Sequence, residues 1–592
     1  AAMAAGAKSD NDVRSQLEPE IIRNLRKEGI VDDAYVNSTI RNNNTLPRPL
    51  RTRAKADGKI FGWMWNDPAN PRPSAAQTGE ATATEPADGS ATKPADGTAA
   101  SANGSAQTLL QPVPEVVDDG NWGLKAIRVP AMWTVIKRFR AAHADAAHRP
   151  KVAVIDQGFN THKGLAYDIL DPPKLSASKG EPCEIAHGTH VAGIIGAATK
   201  SDVGIDGIVP EANIEAVPFQ LDFALEEPGA EEQEWMRRWV LFADVMNDTE
   251  DYIVREQASA NPLRVINMSL AYNLGGLIAK DPGTVPELVR HLQAQAKDVQ
   301  RTVRRYEDQV LFVVAAGNDS EERATPLDTK WASPLAWAGT QAWATAPPSP
   351  NILVVEAFDR TGQRPGFSNI GGHVSAPGVN IMSTLGPGEN VFGVCSGTSQ
   401  AAPHVAAIAT LIFELAPSRK PKEIAEILRT TAVAASDPAV SPRIDALEAV
   451  LRAYPEAARL LADLNRDGVV DEADLSIFQK QLDAIYDNSL NGTAFTEDLN
   501  EDGTVDNNEC LWPTADLNGS GHASLDSRDA RSIFGARRSD LDVMQMAWTK
   551  GTEDFQRAIA STPLAGVMER PLETGALQPA STEAAVAATA CR

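Results

Sequence analysis

Apolar residues gather in short runs between about residues 114 and 454. Five of these runs are rich in Val, Ile or Phe and are bounded by polar or small residues, which is typical of buried strands. Longer segments of helical character separate several of them. This alternation predicts an α/β fold, with a mostly parallel sheet between layers of helices. The predicted strands are 151–156, 213–219, 265–270, 310–317 and 352–358.

Composition divides the rest of the chain into further units. Ala, Thr, Gly, Pro and Ser dominate residues 73–113, which are predicted to be a flexible linker because they offer little apolar surface to bury. The linker tethers an N-terminal region, residues 1–72. Residues 455–550 are dense in Asp, Asn and Gly and contain an internal repeat, and residues 551–592 are predicted to be a C-terminal tail.

Length and charge restrict the function further. The 592 residues are too many for one hydrophobic core. A formal charge of -24 argues against a nucleic-acid partner, which would need a basic face. No run of about 18 apolar residues is present, so no membrane span is predicted. The chain starts without the charged-then-apolar pattern of a secretory signal, so a signal was either removed or never encoded.

The four cysteines form no C-x-x-C pair, which argues against a zinc site or a redox motif. Cys183 and Cys395 lie just upstream of two candidate functional residues. They can either bridge or remain free as small core residues, and free thiols are the favoured expectation. The other two are Cys510 and Cys591.

Three separate segments carry candidate chemistry. Asp156 ends a predicted buried strand, where ligand clefts form in α/β sheets. His187 precedes small residues that lead into an apolar helix, and Ser399 lies at the start of a long hydrophobic helix. Each residue taken alone has a structural explanation, as a turn residue, a core histidine or a helix N-cap. Their joint occurrence favours a catalytic triad.

In these segments the sequence resembles the subtilase family (peptidase family S8), over roughly residues 121–451. The strings HGTHVAG and GTSQAAPHVA are long and specific, and the reactive residues follow the family's order of Asp, His and Ser. Further similar strings are NWGLKAIRVPAMW, VINMSL, VVAAGN, FSN and APGVNIMST. The resemblance implies a subtilisin-like three-layer domain at 114–454.

The resemblance also implies a role for each residue. Ser399 would be the nucleophile, His187 the general base, and Asp156 the group that orients the imidazole. Asn318 would donate its side-chain amide to the oxyanion together with the Ser399 backbone N–H. His190 is expected to be a structural companion of His187. The substrate cleft would be lined by Ser269, Leu270, Ala271, Ala315, Ala316 and Gly317, with which an extended peptide can pair.

Three departures from the family pattern stand out. Gln157 follows Asp156 where Ser or Thr is usual, so the support of the carboxylate can differ. Ala271 stands where glycine is usual, which can alter the approach of a substrate backbone. Segments 221–261 and 275–308 look longer than in compact members, and they either reshape the cleft rim or form decorative helices.

The string DLNRDGVVDEAD at 463–474 has oxygen-bearing side chains at loop positions one, three, five, nine and twelve, with Gly468 at six. This spacing predicts calcium coordination, and the alternative is a set of Asp/Asn-Gly turns without metal. The expected ligands are Asp463, Asn465, Asp467, Val469 (through its carbonyl), Asp471 and Asp474.

A second copy, DLNEDGTVDNNE at 498–509, repeats the spacing, and a third at 516–529 is degraded and is left open. The segment resembles dockerin-type (EF-hand-like) calcium modules, in which such a loop precedes a helix, here residues 475–482. The resemblance implies a cohesin-like protein partner, which is weakened by the uneven spacing of the copies. The second loop's expected ligands are Asp498, Asn500, Asp502, Thr504, Asp506 and Glu509.

Together these patterns predict a secreted, calcium-binding serine endopeptidase that acts on proteins or peptides. The rival hypothesis is a catalytically vestigial, scaffold-anchored binding protein. Because subtilases are commonly made as zymogens, residues 1–72 are a candidate prosegment, and self-cleavage is expected between Arg72 and Asp119.

Overall fold

The computed structural model of the chain describes its central and C-terminal parts. The N-terminal region, the linker, the second acidic loop and most of the third lie outside the described residues, as do Cys510 and Cys591. The described residues are 122–143, 149–169, 183, 186–198, 206–210, 212–218, 231–259, 261–272, 285–321, 325–342, 346–386, 391–435, 440–486, 516–517 and 538–562.

A seven-stranded sheet forms the centre of the molecule, with the order β2-β3-β1-β4-β5-β6-β7. Every pairing in it is parallel. The predicted fold class is therefore confirmed, and the five predicted strands are found within two residues of their expected ends. The strands are β1 Lys151–Asp156, β2 Tyr167–Ile169, β3 Asn213–Pro218, β4 Leu263–Met268, β5 Leu311–Ala315, β6 Ile352–Phe358 and β7 Val374–Pro377.

Helices cover both faces of this sheet. Successive side chains of a strand point to opposite faces, and every residue of β1, β5 and β6 is buried. The helices are α1 Trp122–Ala126, α2 Val129–Ala142, α3 His187–Gly196, α4 Glu231–Gln257, α5 Val285–Arg305, α6 Pro334–Thr340, α7 Thr398–Leu415, α8 Pro421–Thr431, α9 Ala446–Ala453, α10 Ala457–Ala462, α11 Glu472–Tyr486, α12 Asp540–Ala547 and α13 Thr552–Ala560.

Helix α7 is the central helix, because all of its 18 residues are buried. It packs against β4, β5, β6 and β7 and against helix α3. Its composition explains this position, since Ala, Val, Ile and Leu fill the helix between Ala401 and Leu415. The candidate serine, Ser399, therefore lies in the first turn of a helix that is fixed along its whole length.

A separate antiparallel hairpin joins helices α3 and α7. It consists of β8 (Ile381–Leu385) and β9 (Val391–Cys395). The Ser383 and Thr384 hydroxyls each donate 2.8 Å hydrogen bonds to backbone carbonyls of α3. The hairpin lies so close to the helix that a Cβ at Gly193 would be 2.1 Å from the Thr384 hydroxyl. The hairpin thus links the segment of the candidate base to that of the candidate nucleophile.

A disulfide reinforces this link. Cys183 and Cys395 are bonded, with their Cα atoms 6.0 Å apart, so the expectation of free thiols was wrong for this pair. The two residues are 212 positions apart, and their proximity depends on how the hairpin folds over α3, which sequence spacing does not reveal. Each cysteine precedes its candidate functional residue, His187 or Ser399, by four positions.

The two long segments noted in the sequence contain helices α4 and α5, which pack on each other. Helix α4 is fixed to the sheet through Lys151, whose ammonium group lies 2.5 Å from carboxylate oxygens of both Glu215 and Glu256. Lys151 begins β1, whereas Asp156 ends it. The C-terminal part of α4 is therefore anchored at the end of the sheet away from the candidate site.

The C-terminal helices share the core of the main unit. Val470, Phe478, Met544 and Phe555 belong to the same buried cluster as the sheet residues. The helix predicted at 475–482 is found as α11, and part of the segment assigned to the C-terminal tail forms α13. Across the described part of the chain, no helix is long and apolar enough to cross a membrane.

Candidate active site

Asp156 and His187 form a buried pair at the carboxyl end of β1. The Nδ1 atom of His187 lies 2.8 Å and 2.9 Å from the two carboxylate oxygens of Asp156. Both side chains are completely buried. Burial raises the pKa of the Asp156 carboxyl, and the interaction with His187 and the backbone N–H of Gln157 oppose that rise.

Backbone contacts fix the start of helix α3, where His187 is the first residue. The Gly188 N–H donates to the Gln157 carbonyl at 2.7 Å, and this ties the helix to the end of β1. A Cβ at Gly188 would lie 2.7 Å from the Phe159 ring and 2.8 Å from that carbonyl, so only glycine fits. Gln157 supports the Asp156 carboxylate through its backbone N–H at 2.7 Å, a contact that does not require Ser or Thr at this position.

Hydrogen bonds with Ser269, the residue that follows β4, hold Ser399 in place. Its hydroxyl donates to the Ser269 carbonyl at 3.3 Å, and the Ser269 hydroxyl donates back to the Ser399 carbonyl at 2.9 Å. The Asn267 side-chain amide donates to the Ser269 hydroxyl at 3.0 Å. These reciprocal bonds join the end of β4 to the first turn of α7 and fix the position of Ser399.

Asn318 is oriented by the residue before Ser399. Its side-chain carbonyl accepts hydrogen bonds from the Thr398 N–H at 3.0 Å and from the Thr398 hydroxyl at 2.9 Å. Because two donors meet that oxygen, the amide nitrogen must point the other way. The Nδ2 atom is buried and has no hydrogen-bond partner. An N–H donor is thus left available beside Thr398 and Ser399.

Gly317 has a positive φ of 103°, a conformation that favours glycine. A Cβ there would also lie 2.2 Å from the Asn369 side-chain nitrogen. Asn369 in turn accepts hydrogen bonds from the Asp319 N–H and the Ser320 hydroxyl. The turn that carries Asn318 is therefore specified by this glycine and asparagine together.

The six expected cleft residues are all buried in this structure. The N–H of Ala316 donates to the Val355 carbonyl, and the N–H of Gly317 donates to the Thr398 hydroxyl. Both donors are therefore committed within the protein.

His190 is a buried histidine whose Nε2 atom lies 3.1 Å from the Ile381 carbonyl and 3.2 Å from the Gly393 carbonyl. Burial, with a smaller effect of nearby His187, lowers the pKa of His190 to about 3. A ring that stays neutral and bonds the hairpin is a structural companion of His187, as the sequence predicts.

Thr398 was missed in the sequence as a functional residue, and Ser269 was expected only as a residue of the substrate cleft. Thr398 orients Asn318, and the Ser269 hydroxyl holds the backbone of Ser399. Thr398 lies within the string GTSQ, where a hydroxyl next to the candidate nucleophile was a visible signal. The role of Ser269 carried no such signal, because it depends on a contact with a residue 130 positions away.

The first acidic loop is closed on itself by its first and last carboxylates. Asp463 accepts the N–H groups of Asp467 and Gly468 at 3.1 Å and 2.9 Å. Asp474, which is fully buried, accepts the N–H groups of Leu464, Asn465 and Asp471. Gly468 has a positive φ of 89°, as expected for the sharp turn.

The expected ligands of this loop are thus gathered in one turn, but their oxygens accept backbone N–H groups. Within the described residues, no group of three or more His, Cys, Asp or Glu side chains is placed to hold a metal ion. The six expected ligands of the second loop lie outside the described residues.

The fold and this arrangement of residues define the class of the protein: the chain belongs to the subtilase family. The family's model matches residues 147–456, which is just over half of the chain. The matched region contains Asp156, His187, Asn318 and Ser399.

Individual relatives agree with that assignment. The chain is 28% identical over 314 residues to the minor extracellular protease Epr of Bacillus subtilis (strain 168), covering 53% of this chain and 38% of that protein. It is 28% identical over 316 residues to subtilisin NAT of Bacillus subtilis subsp. natto, covering 52% and 65%. The alignments therefore span less than two thirds of either relative's length.

Two solved structures are also similar in part. A protease from Pseudoalteromonas arctica PAMC 21717 matches 52% of this chain and 92% of its own, at 23% identity and a TM-score of 0.35. MycP1 from the ESX-1 type VII secretion system matches 56% and 85%, at 22% identity and a TM-score of 0.37.

Proposed function

We propose that this chain is a serine endopeptidase that uses Asp156, His187 and Ser399. The observation that carries the proposal is the buried pair of His187 and Asp156, with Nδ1 within 2.9 Å of both carboxylate oxygens. That contact fixes the imidazole tautomer and leaves Nε2 as the basic atom. Membership of the subtilase family supports the same conclusion.

The proposed reaction is acyl transfer to Ser399 followed by hydrolysis. The Ser399 oxygen attacks the scissile carbonyl carbon while its proton passes to Nε2 of His187. In the free protein the hydroxyl donates to the Ser269 carbonyl, so it must turn from that acceptor towards His187. The imidazolium then protonates the leaving amine, and water hydrolyses the acyl-enzyme with His187 again acting as the base.

Asn318 would stabilise the oxyanion that forms in each half-reaction. Its unpartnered Nδ2 donor and the backbone N–H of Ser399 supply two hydrogen bonds, beside the positive end of the α7 dipole. Because Thr398 holds the other end of the Asn318 amide, this donor is positioned before the substrate arrives.

A catalytically vestigial binding protein is the rival. The test is labelling with a serine-directed phosphonate and mapping the adduct by peptide mass spectrometry. We expect one adduct at Ser399, and none in Ser399→Ala or after denaturation. An unlabelled wild-type protein that also fails to cleave casein would favour the rival.

For the acidic loop at 463–474 we propose calcium binding. The donor set consists only of oxygens, which suits Ca²⁺. A carboxylate oxygen that accepts one N–H retains a further lone pair, and Asp474, whose Oδ1 accepts two N–H groups, keeps this capacity at Oδ2. The carboxylates can therefore add a cation without giving up the turn. A bound ion would neutralise the repulsion between the carboxylates and hold the loop against α11, with no part in the reaction.

Calcium titration in a calorimeter, after treatment with EGTA, tests this proposal. The expected result is saturable binding that weakens in Asp463→Ala, together with a higher Tm in calcium. Because the second loop can also bind, Asp498→Ala is the matched variant. Equal binding isotherms for the wild type and Asp463→Ala would exclude the first loop.

We also infer that the protein works outside the cell, where extracellular calcium is available. The Cys183–Cys395 disulfide supports an oxidising compartment, and two relatives carry the word extracellular in their names. A cohesin-like partner depends on both acidic loops and stays a prediction, as does the prosegment role of residues 1–72.

A further inference from the structure

Gln400, the residue after Ser399, has a buried side chain that the proposed mechanism does not use. It is completely buried, and neither Nε2 nor Oε1 has a hydrogen-bond partner. Throughout the described part of the chain, Gln400 is the only residue with two side-chain polar atoms in this condition. Buried polar groups are nearly always paired, so an amide unsatisfied at both ends requires an explanation.

The position of Gln400 in the helix points towards the candidate site. It is the third residue of α7, after Thr398 and Ser399. The Cα–Cβ bonds of a helix tilt towards its N-terminus, and long side chains extend in that direction. We therefore expect a glutamine at the third position to extend towards the end of α7 that carries Ser399 and contacts Asn318.

The comparison with Asn318 identifies what the amide can bind. The carbonyl of Asn318 is held by Thr398 and only its N–H donor is left for the substrate. In Gln400 both a donor and an acceptor are left, and the chemical group that offers one of each in return is a peptide unit. A simple ester offers only acceptors.

We propose that the Gln400 side chain binds a backbone peptide group of the substrate next to the scissile bond, and so makes the enzyme favour extended peptides over simple esters. This inference rests on the proposed peptidase function. In the free protein the unsatisfied amide lowers stability, and the substrate supplies the missing hydrogen bonds.

The test replaces Gln400 with methionine, which has a similar length and shape but no amide. Hydrolysis of an internally quenched peptide that extends on both sides of the bond is compared with that of p-nitrophenyl acetate. In Gln400→Met we expect kcat/KM for the peptide to fall about tenfold more than kcat/KM for the ester. The Tm of the free variant is expected to rise by a few degrees, because an unsatisfied buried amide has been removed.

Gln295→Met is the matched control, since Gln295 is a buried glutamine whose Oε1 accepts a 2.8 Å hydrogen bond from Tyr272. This change should lower the Tm and leave the peptide-to-ester ratio as in the wild type. Phosphonate titration fixes the concentration of folded, reactive enzyme in each sample. An unchanged ratio in Gln400→Met would overturn the inference, whatever its Tm. If the wild type neither reacts with the phosphonate nor cleaves the peptide, the proposed peptidase function itself fails. This outcome differs from an unchanged peptide-to-ester ratio in an active enzyme, so the two failures are distinguishable.

Discussion

At the scale of single residues, the site is organised by hydrogen bonds that leave selected atoms without partners. Asp156 binds Nδ1 of His187, and the Thr398 hydroxyl binds the side-chain carbonyl of Asn318. The Ser269 hydroxyl binds the backbone carbonyl of Ser399. Of the groups proposed to react or to donate, the Asn318 Nδ2 atom has no hydrogen-bond partner, and the Ser399 hydroxyl donates to the Ser269 carbonyl. Such preorganisation supplies a large part of transition-state stabilisation, because the dipoles need not reorient during the reaction.

Asn318→Leu tests the oxyanion role. The loss of one such donor typically lowers kcat by about 100- to 1,000-fold. KM should change little, because the hydrogen bond forms chiefly in the transition state. Steady-state hydrolysis of a peptide substrate measures both constants.

Thr398→Val is the companion variant, since it removes the hydroxyl that orients Asn318 and keeps the shape of the residue. Its kcat should fall less than that of Asn318→Leu, and the double variant should be no worse than Asn318→Leu alone. Independent, additive losses would contradict the orienting role of Thr398.

The sequence could single out the candidate residues of the site but not all of their supports. Asp156, His187, Asn318 and Ser399 each lie in a distinctive string, and the strands and helices beside them have clear apolar patterns. Two features depend on packing between distant segments, which the pattern of apolar residues does not reveal. They are the contact between Ser269 and Ser399 and the lack of hydrogen-bond partners for the Gln400 amide. The same reason explains why the disulfide was missed.

At the scale of elements, the β8–β9 hairpin and its disulfide hold α3 and α7 in register. Cys395 ends β9 four residues before Ser399, and Cys183 precedes His187 by the same number. Relative movement of the two helices would separate His187 from Ser399, the proposed base and nucleophile. The disulfide therefore constrains the part of the fold on which the proposed chemistry depends.

Removing the disulfide in a Cys183→Ser, Cys395→Ser variant should reduce both stability and activity. A disulfide that closes a long loop typically contributes about 2–4 kcal/mol, which for a unit of this size corresponds to a Tm lowered by about 3–6 °C. Calorimetry and peptide hydrolysis below the Tm measure the two effects. The parent for comparison is Cys510→Ser, Cys591→Ser with the disulfide intact, and an equal Tm in the two proteins would contradict the constraint.

Helix α2 connects the main unit to the first acidic loop. The Arg138 guanidinium donates from one nitrogen to the carbonyls of Leu460, Leu461 and Asp463, at 2.5–3.2 Å. These are the last carbonyls of α10 and the first of the loop, which otherwise lack helical partners. The same side chain therefore caps a helix and fixes the loop to the main unit.

Arg138→Met should loosen the acidic loop from the main unit. We expect faster limited proteolysis within residues 463–474, measured by mass spectrometry on a Ser399→Ala background so that no self-cleavage interferes. Arg140→Met, which removes a 2.7 Å ion pair with Glu414 inside the main unit, is the control. It should lower the Tm without accelerating cleavage in the loop, and equal cleavage in both variants would contradict the capping role.

At the scale of the whole molecule, one continuous core joins the parallel sheet to the C-terminal helices. The alternation of strands and helices was sufficient to predict the parallel sheet and its central helix. It did not predict the packing of α12 on α10, because that contact joins segments separated by residues of low apolar content. The main unit and the described C-terminal helices are therefore expected to unfold together.

Acid should destabilise this common core through buried histidines. Desolvation lowers the pKa of the buried His190 and of the partly buried His373 to about 3, and that of the buried His404 to about 4. The unfolded chain, with ordinary histidine pKa values near 6.5, therefore binds more protons than the folded one below that pH. Stability is fully present above about pH 6.5 and falls with decreasing pH, by about 1.4 kcal/mol per unit for each group.

Urea unfolding of Ser399→Ala between pH 7.5 and 5 measures the slope of the free energy of unfolding against pH. The side-chain oxygen introduced in His373→Asn can still accept the Val354 N–H. In this variant the slope should be smaller by about the contribution of one histidine. A free energy of unfolding that is constant across this range would contradict the assignment of these histidines as buried and neutral.

The central claim is that Ser399 is the nucleophile of a peptidase. The most direct measurement is kcat/KM for an internally quenched peptide, compared between the wild type, Ser399→Ala and Ser396→Ala. Ser396 lies three residues upstream, and its hydroxyl accepts the Asn380 N–H at 2.8 Å. We predict that Ser399→Ala lowers kcat/KM by at least about 10,000-fold and that Ser396→Ala retains most of the activity. Hydrolysis by a folded Ser399→Ala protein at the rate of the wild type would contradict the account.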